Sequence, residues 1–428
     1  MKLRTALAVV SLFLSLAISA DHKSNDCRGC WIAPTDALTV DQSLGVNIHF
    51  TDPKPGEVRM IADAGFHWVR VDLNWELTEP ERGKYEFSPY DGLLKELDAF
   101  KLRALLILDY GNPLYTEGKS VRTPVAREAF VRWAVAAAKH FSGRGVIWEV
   151  FNEPNTQMFW PPQPDVGEYR ALAAEVGRAF HASVPNEQLI GPATSKIDLP
   201  FLDSCFKSKL LDDWSAVSVH PYRQTNPETA ANEYAHLRNL IHSHNLRASQ
   251  FPLSIVSSEW GYSSAWSHMN EEVQAVMLTR EFLTNVANGI QISIWYDWRD
   301  DGVDPKEPED HFGLVRNTYR SGQTPAYDPK PAYFAAKTLA NVIGGYRFDE
   351  RLNIGSADDY VLVFTSNGER RFAAWTTSPL SRRVIIQNMA RQYSVLSATG
   401  KSLGDITPNS GALTVELTST PKYLVPLH

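Results

Sequence analysis

Eight times between residues 44 and 345, a short apolar run is followed by a segment whose apolar residues recur at helical spacing. That alternation limits the fold more than any other feature of the chain. Parallel strands need long crossover connections, usually helices, and strands covered on both faces read as nearly unbroken apolar runs. The runs are 44–50 (LGVNIHF), 67–75 (HWVRVDLNW), 104–110 (ALLILDY), 146–155 (VIWEVFNEPN), 188–194 (QLIGPAT), 214–222 (WSAVSVHPY), 253–262 (LSIVSSEWGY) and 291–298 (QISIWYDW). Helical stripes separate them, such as Phe130, Trp133, Ala134, Ala137 and Phe141, and residues 332–343 close the set. Eight strict repeats predict an α/β fold, a (β/α)8 TIM barrel over 44–345, in preference to an open doubly wound sheet. No Gly-x-Gly-x-x-Gly follows the first run, which argues against dinucleotide binding.

From residue 346 to 428 the texture changes to short alternating runs between Gly, Asn, Ser and Pro turns, at 360–364, 372–376, 384–386, 393–396, 413–417 and 423–427. These predict a small C-terminal β-sandwich domain. Residues 1–20 read as a signal peptide: Lys2 and Arg4 precede an apolar stretch from Ala6 to Ile18, and Ala20 ends a cleavage-like site. The expected location is therefore secreted or periplasmic. A polar leader, 21–43, follows and could add a strand to the sandwich. It carries Cys27 and Cys30, which could close a small disulfide loop in an oxidising compartment. Cys205, on the apolar stripe of Leu202, Phe206 and Leu210, reads as a buried free thiol.

A net charge of −7 over 428 residues is mild and argues against nucleic acid or an anionic membrane surface as main partner, since both favour basic patches. Aromatic residues make up 11% of the chain, with twelve Trp, and Trp can serve as a platform for a sugar ring.

Barrel chemistry collects at the C-terminal ends of the strands. Read in order, those ends offer Asn47 and His49; Arg70, Asp72 and Trp75; Asp109 and Tyr110; Asn152 and Glu153; His220 and Tyr222; Glu259 and Trp260; and Trp295, Asp297 and Trp298. Taken singly, most have a plain structural reading: Arg70 as an ion-pair partner, Trp295 as core, His220 as a satisfied histidine. Their conjunction at one end of the barrel is what points to chemistry. Glu153 ends the fourth strand and Glu259 the seventh, on opposite sides of the ring. Two carboxylates facing across a mouth suit glycoside hydrolysis, one as nucleophile and one as general acid and then base. The acid needs a raised pKa, and the nucleophile needs a cation such as Arg70 and a donor such as Tyr222 to stay ionised.

Phe151-Asn152-Glu153-Pro154-Asn155, His220-Pro221-Tyr222 and Ser258-Glu259-Trp260-Gly261 resemble the motifs of retaining glycoside hydrolases of clan A, with families 5 and 39 the nearest in flavour. The likeness covers residues 44–345. It implies Glu153 as acid/base, Glu259 as nucleophile held by Arg70 and Tyr222, and Asn152 on the sugar 2-hydroxyl. It also implies Trp295 as the platform under the ring being cleaved, with His220 lining the site. Trp160 and Trp260, in loops at the same face, could line further subsites. The third strand ends in Asp109-Tyr110-Gly111-Asn112, without the histidine common there in the cellulase-like family.

The expected reaction is hydrolysis of O-glycosidic bonds, β-linked, in a poly- or oligosaccharide. The expected partner is that carbohydrate, with no nucleic acid, membrane, cofactor or metal. Two other classes compete. One is a metal-dependent barrel enzyme with His49, Glu153, His220 and Glu259 as ligands. The other is a non-catalytic carbohydrate-binding barrel, which would be expected to have lost one glutamate.

Overall fold

The computed structural model describes residues 38–244 and 253–427. The signal segment, most of the leader, Cys27 and Cys30 lie outside these residues. All eight expected strands form, and they close in sequence order into one parallel barrel: β1 (Leu44–Asn47), β2 (Trp68–Asn74), β3 (Arg103–Asp109), β4 (Ile147–Val150), β5 (Gln188–Ser195), β6 (Ala216–His220), β7 (Ser254–Trp260) and β8 (Ile292–Trp295). Helices α1 (Glu57–Asp63), α2 (Trp75–Thr78), α3 (Ser88–Ala99), α4 (Pro124–His140), α5 (Val166–Ser183), α6 (Leu199–Lys207), α7 (Ala230–His244), α8 (Glu271–Ala287) and α9 (Pro331–Ile343) cover it. Their starts follow local chemistry: Thr123, Asp165, Asp198 and Asn270 each accept a backbone N–H of the first turn. Among the described residues no helix is long and apolar enough to cross a membrane.

Strand parity decides which side chains reach the barrel interior. Trp68, Leu105, Ile107, Ile147, Ile190, Ala216, Val256, Ile292 and Ile294 pack there as one cluster. The same parity carried toward the strand ends turns Arg70 and Asp72, Asp109, Glu149 and His220 inward. Gly45 belongs to this layer because a Cβ there would lie 2.2 Å from Ile294 Cδ1. The residues of opposite parity form the larger core between strands and helices.

Six of the eight strands are shorter than the apolar runs predicted. The first ends at Asn47 rather than residue 50, and the second gives way at Trp75 to α2, whose N-cap is the side chain of Asn74. Trp75 is thereby swung out of the mouth into the core, stacked on Tyr115 at 5.2 Å and donating to Glu79 Oε2.

The C-terminal region forms a six-stranded antiparallel sheet and a two-stranded one. The larger has the order β14-β13-β16-β11-β10-β9, and β12 pairs with β15 in the smaller. The ranges are β9 (Arg347–Arg351), β10 (Asp359–Ser366), β11 (Glu369–Thr376), β12 (Arg382–Ile386), β13 (Tyr393–Ser397), β14 (Ser402–Ile406), β15 (Leu413–Leu417) and β16 (Lys422–Pro426). Strands β9 and β14 were not predicted. Both are sheet edges, mostly exposed, and need no buried alternation to announce them. The described end of the leader adds no strand. Val40–Ser43 is a 3-10 turn, with Val40 N donating to Tyr346 O and Asp41 N to Gly344 O. A buried cluster ties the two regions: Arg280 of α8 grips Glu228 through two 2.7 Å bonds, and Trp375 Nε1 of β11 donates to the same carboxylate at 2.6 Å. Cys205 is a buried free thiol, as the stripe predicted, and burial raises its pKa.

Candidate active site

Arg70 is the hub of the barrel mouth. It is 1% exposed, and its guanidinium spends its donors in one plane. Nε donates to Glu149 Oε2 at 2.8 Å; Nη1 donates to Glu259 Oε2 at 2.5 Å and to Asn47 Oδ1 at 3.2 Å; Nη2 donates to Asn152 Oδ1 at 2.8 Å. His220 Nε2 lies 3.3 Å from Nη2. Since Arg can only donate, Nε2 accepts, which leaves the proton on Nδ1 to be donated to Glu153 Oε1 at 3.0 Å.

Two backbone irregularities bring the carboxylates to this hub. After β4 the chain turns with Phe151 at φ 70° and Glu153 at φ 43°, both left-handed and unusual for side chains of this size. Glu153 N is fixed on Ala193 O at 3.0 Å, so the turn is held by β5. On β7, Ser257 pairs with Ser293 and Trp260 with Trp295, three steps against two. This bulge places Glu259 over the mouth although Val256 and Ser258 already occupy the inward parity.

Glu259 is held by Arg70 from below and by Tyr222, whose OH donates to Oε1 at 2.9 Å. Burial pushes its carboxyl up, but the Arg70 charge and the hydrogen bonds from Tyr222 and Arg70 keep the pKa below the usual glutamate value. Tyr222 is pushed well up, by burial first and then by Glu259, so its hydroxyl stays a donor. Carboxylate oxygens of Glu153 and Glu259 and a ring nitrogen of His220 all lie within 4.8 Å of one another. One carboxylate poised as an anion and a second within that distance can act on a single bond between them.

The structure therefore brings together Glu153, Glu259, Asn152, Arg70, His220 and Tyr222. It does not bring the three tryptophans to the cleft, and that expectation is corrected. Trp160, Trp260 and Trp295 are fully buried. Trp295 and Trp260 face each other across the register on the outward parity, and Trp295 Nε1 donates to Phe312 O at 3.2 Å. Trp160 packs on Phe151 and Tyr169 and donates to Glu168. Tyr296, one residue on, stands at the mouth instead and continues the parity of Ile292 and Ile294. Its ring lies 5.4 Å from both His49 and Phe312 and 6.5 Å from Tyr222. Gly261 permits this, because a Cβ there would meet Tyr296 O at 2.0 Å.

Sequence reasoning missed Tyr296 and Glu149. Parity was the available signal for both, since each continues an inward-facing row. The four-ligand metal set of the competing reading is not brought together. Among the described residues His49 groups with Asp297 and Asp301, apart from Glu153, His220 and Glu259, and the Arg70 cation already sits on Glu259.

Residues 38–301 match the family Cellulase (glycosyl hydrolase family 5). The chain belongs to that family. Solved structures extend the likeness to families 39 and 30, also of clan A. A family 39 glycoside hydrolase from the gut symbiont Bacteroides cellulosilyticus WH2 is 25% identical, with a TM-score of 0.77 over 92% of this chain and 82% of that one. A family 39 β-xylosidase from Caulobacter crescentus (17% identity, TM-score 0.66, 92% and 97% covered) shares the fold. So does a family 30 endoxylanase from Clostridium papyrosolvens C71 (13%, 0.65, 90% and 96%). No curated protein sequence matches the chain. This family 5 member is thus a glycosidase, and a carbohydrate is its substrate.

Proposed function

We propose that the protein is an exported retaining β-glycosidase acting on a poly- or oligosaccharide by double displacement. The observation that carries the reading is the Glu153–Glu259 approach, within 4.8 Å between carboxylate oxygens. Retaining enzymes hold their carboxyls about 5–5.5 Å apart, whereas inverting ones need about 6.5–9.5 Å to admit water. In the first step a Glu259 oxygen attacks the anomeric carbon. The bond to the leaving oxygen breaks, and Glu153 delivers its proton to that oxygen. In the second, Glu153 takes a proton from water, whose oxygen displaces Glu259 from the sugar.

The surrounding groups fit subsidiary roles. Asn152 has its Oδ1 committed to Arg70, which leaves the Nδ2 hydrogens to donate to a sugar 2-hydroxyl. The Nδ1–H of His220 orients Glu153. Tyr296 takes the platform role first expected of Trp295, and His49 and Asp297, 3.5 Å apart, offer polar atoms at the same rim. Export rests on Lys2, Arg4 and the apolar stretch to Ile18; secreted protein beginning at Asp21 would be the expected product.

The test is a 2-deoxy-2-fluoro glycosyl inactivator followed by peptide mapping. Covalent label on Glu259 and products of retained anomeric configuration are expected. Label on another residue, or an inverted product, would overturn the assignment.

A further inference from the structure

Glu149 takes no part in the two displacement steps, yet it places a carboxylate in the barrel interior. It is wholly buried in β4, and its neighbours in register are Ile107 on β3 and Ile190 on β5. An isoleucine would fill such a place, and a buried carboxylate is costly there unless it is paired. Its partner is Arg70 Nε, at 2.8 Å. Its other oxygen, Oε1, has no hydrogen-bond partner, so the hydrogen bonding of Glu149 is spent on Arg70.

A guanidinium is a rigid planar fork. Anchoring Nε from below therefore aims both Nη groups, Nη1 at Glu259 and Nη2 at Asn152. The anchor also divides a charge. Arg70 carries one positive charge and contacts two carboxylates. Without Glu149, the whole of that charge would bear on Glu259.

We propose that Glu149 is a positioning residue that shares Arg70 with the nucleophile, aiming the guanidinium and tempering its hold on Glu259. This rests on the double-displacement reading with Glu259 as nucleophile. A carboxylate too strongly stabilised is a poor nucleophile, and one left unpaired would protonate. The second counter-anion on Arg70 sets the balance. The other charged or titratable groups facing this network are Asp72 from β2, Asp109 and Tyr110 at the end of β3, Glu153 after β4, and Tyr169 from α5. His220 and Tyr222 face it from β6, and Tyr296 and Glu309 from the β8 side, while β1 contributes the neutral Asn47.

The experiment compares Glu149→Gln and Glu149→Asp with the wild type on an aryl glycoside, after the fluoro-sugar label has been mapped. The Gln variant keeps an acceptor for Arg70 Nε but loses the charge. Its kcat should fall on the order of 10–100-fold with KM little changed, as is typical for groups that orient a functional one through a single contact. Removing a nearby negative charge favours the ionised form of Glu259, so the acid limb of kcat/KM should move about one unit lower. The Asp variant keeps the charge but falls short of Nε, so its kcat should drop with the acid limb in place. A structural role alone would lower Tm and the yield of active enzyme without moving the limb. A Gln variant with label on Glu259 but an unmoved acid limb or wild-type kcat overturns the proposal. Label elsewhere overturns the double-displacement reading instead. Should the Gln variant not fold, the Asp variant decides alone, and wild-type kcat in it refutes the positioning role.

Discussion

Replacing Tyr222 by Phe removes a single oxygen, and the structure says what that oxygen does. Its O–H is one of two donors that hold Glu259, at 2.9 Å on Oε1, while Arg70 holds Oε2. The ring has its own contacts, with centroids 6.5 Å from Tyr296 and 6.3 Å from Phe312, so Phe keeps the packing. A hydrogen bond to a charged acceptor contributes about 1.5–3 kcal/mol. One pKa unit corresponds to about 1.4 kcal/mol, so losing the bond should raise the pKa of Glu259 by about one to two units. The sign follows from the wild type. Glu259 is held below its usual value, so the nucleophile stays ionised, and activity persists, to a pH below about 4.3, where an ordinary glutamate titrates. In Tyr222→Phe the acid limb of kcat/KM should therefore move upward, opposite to the shift expected for Glu149→Gln. The assay is initial rate against pH at low substrate, from pH 3 to 8, with far-ultraviolet circular dichroism at each pH to exclude unfolding. An acid limb that stays at the wild-type pH would show that Tyr222 does not stabilise the Glu259 anion and would refute the reasoning.

Tyr296→Ala should lower kcat/KM about three- to tenfold through lost ring contact, while Trp295→Phe should change stability and leave KM as it was; steady-state kinetics on both variants checks this. Glu228→Gln strips the buried Arg280 of its counter-ion and should cost about 3–5 kcal/mol of stability, read from urea unfolding curves. Exhaustive chelation should leave turnover unchanged, because the displacement steps are assigned to side chains that Arg70 and His220 already hold; loss of activity restored by one divalent metal would refute that assignment.

Much of the site was legible because a strand end is visible in a sequence. Apolar runs 104–110 and 188–194, set between helical stripes, read as buried strands, and the polar residues toward the end of a run belong near one mouth. Glu153, Glu259, Arg70, His220 and Tyr222 were found that way, and the structure places all five within one hydrogen-bonded network. The tryptophans were misplaced for the same reason. Trp295 ends β8, but period-2 alternation puts it on the helix side and its successor Tyr296 on the barrel side. A run gives the end of a strand and leaves its parity open unless an inward residue is already known.

The alternation of eight apolar runs and eight helical stripes decided the barrel from local information alone, because no other closed arrangement buries that many two-sided strands. The carboxylate pair could be named from its place on the fourth and seventh strands. What only the tertiary structure decided is how close the pair stands. That distance comes from a left-handed turn at Phe151 and Glu153, a bulge between Ser257 and Trp260, and a guanidinium shared by residues 79 and 189 positions from it. Each depends on hydrogen bonds between strands far apart in the chain, and no local pattern of residue types encodes such partners.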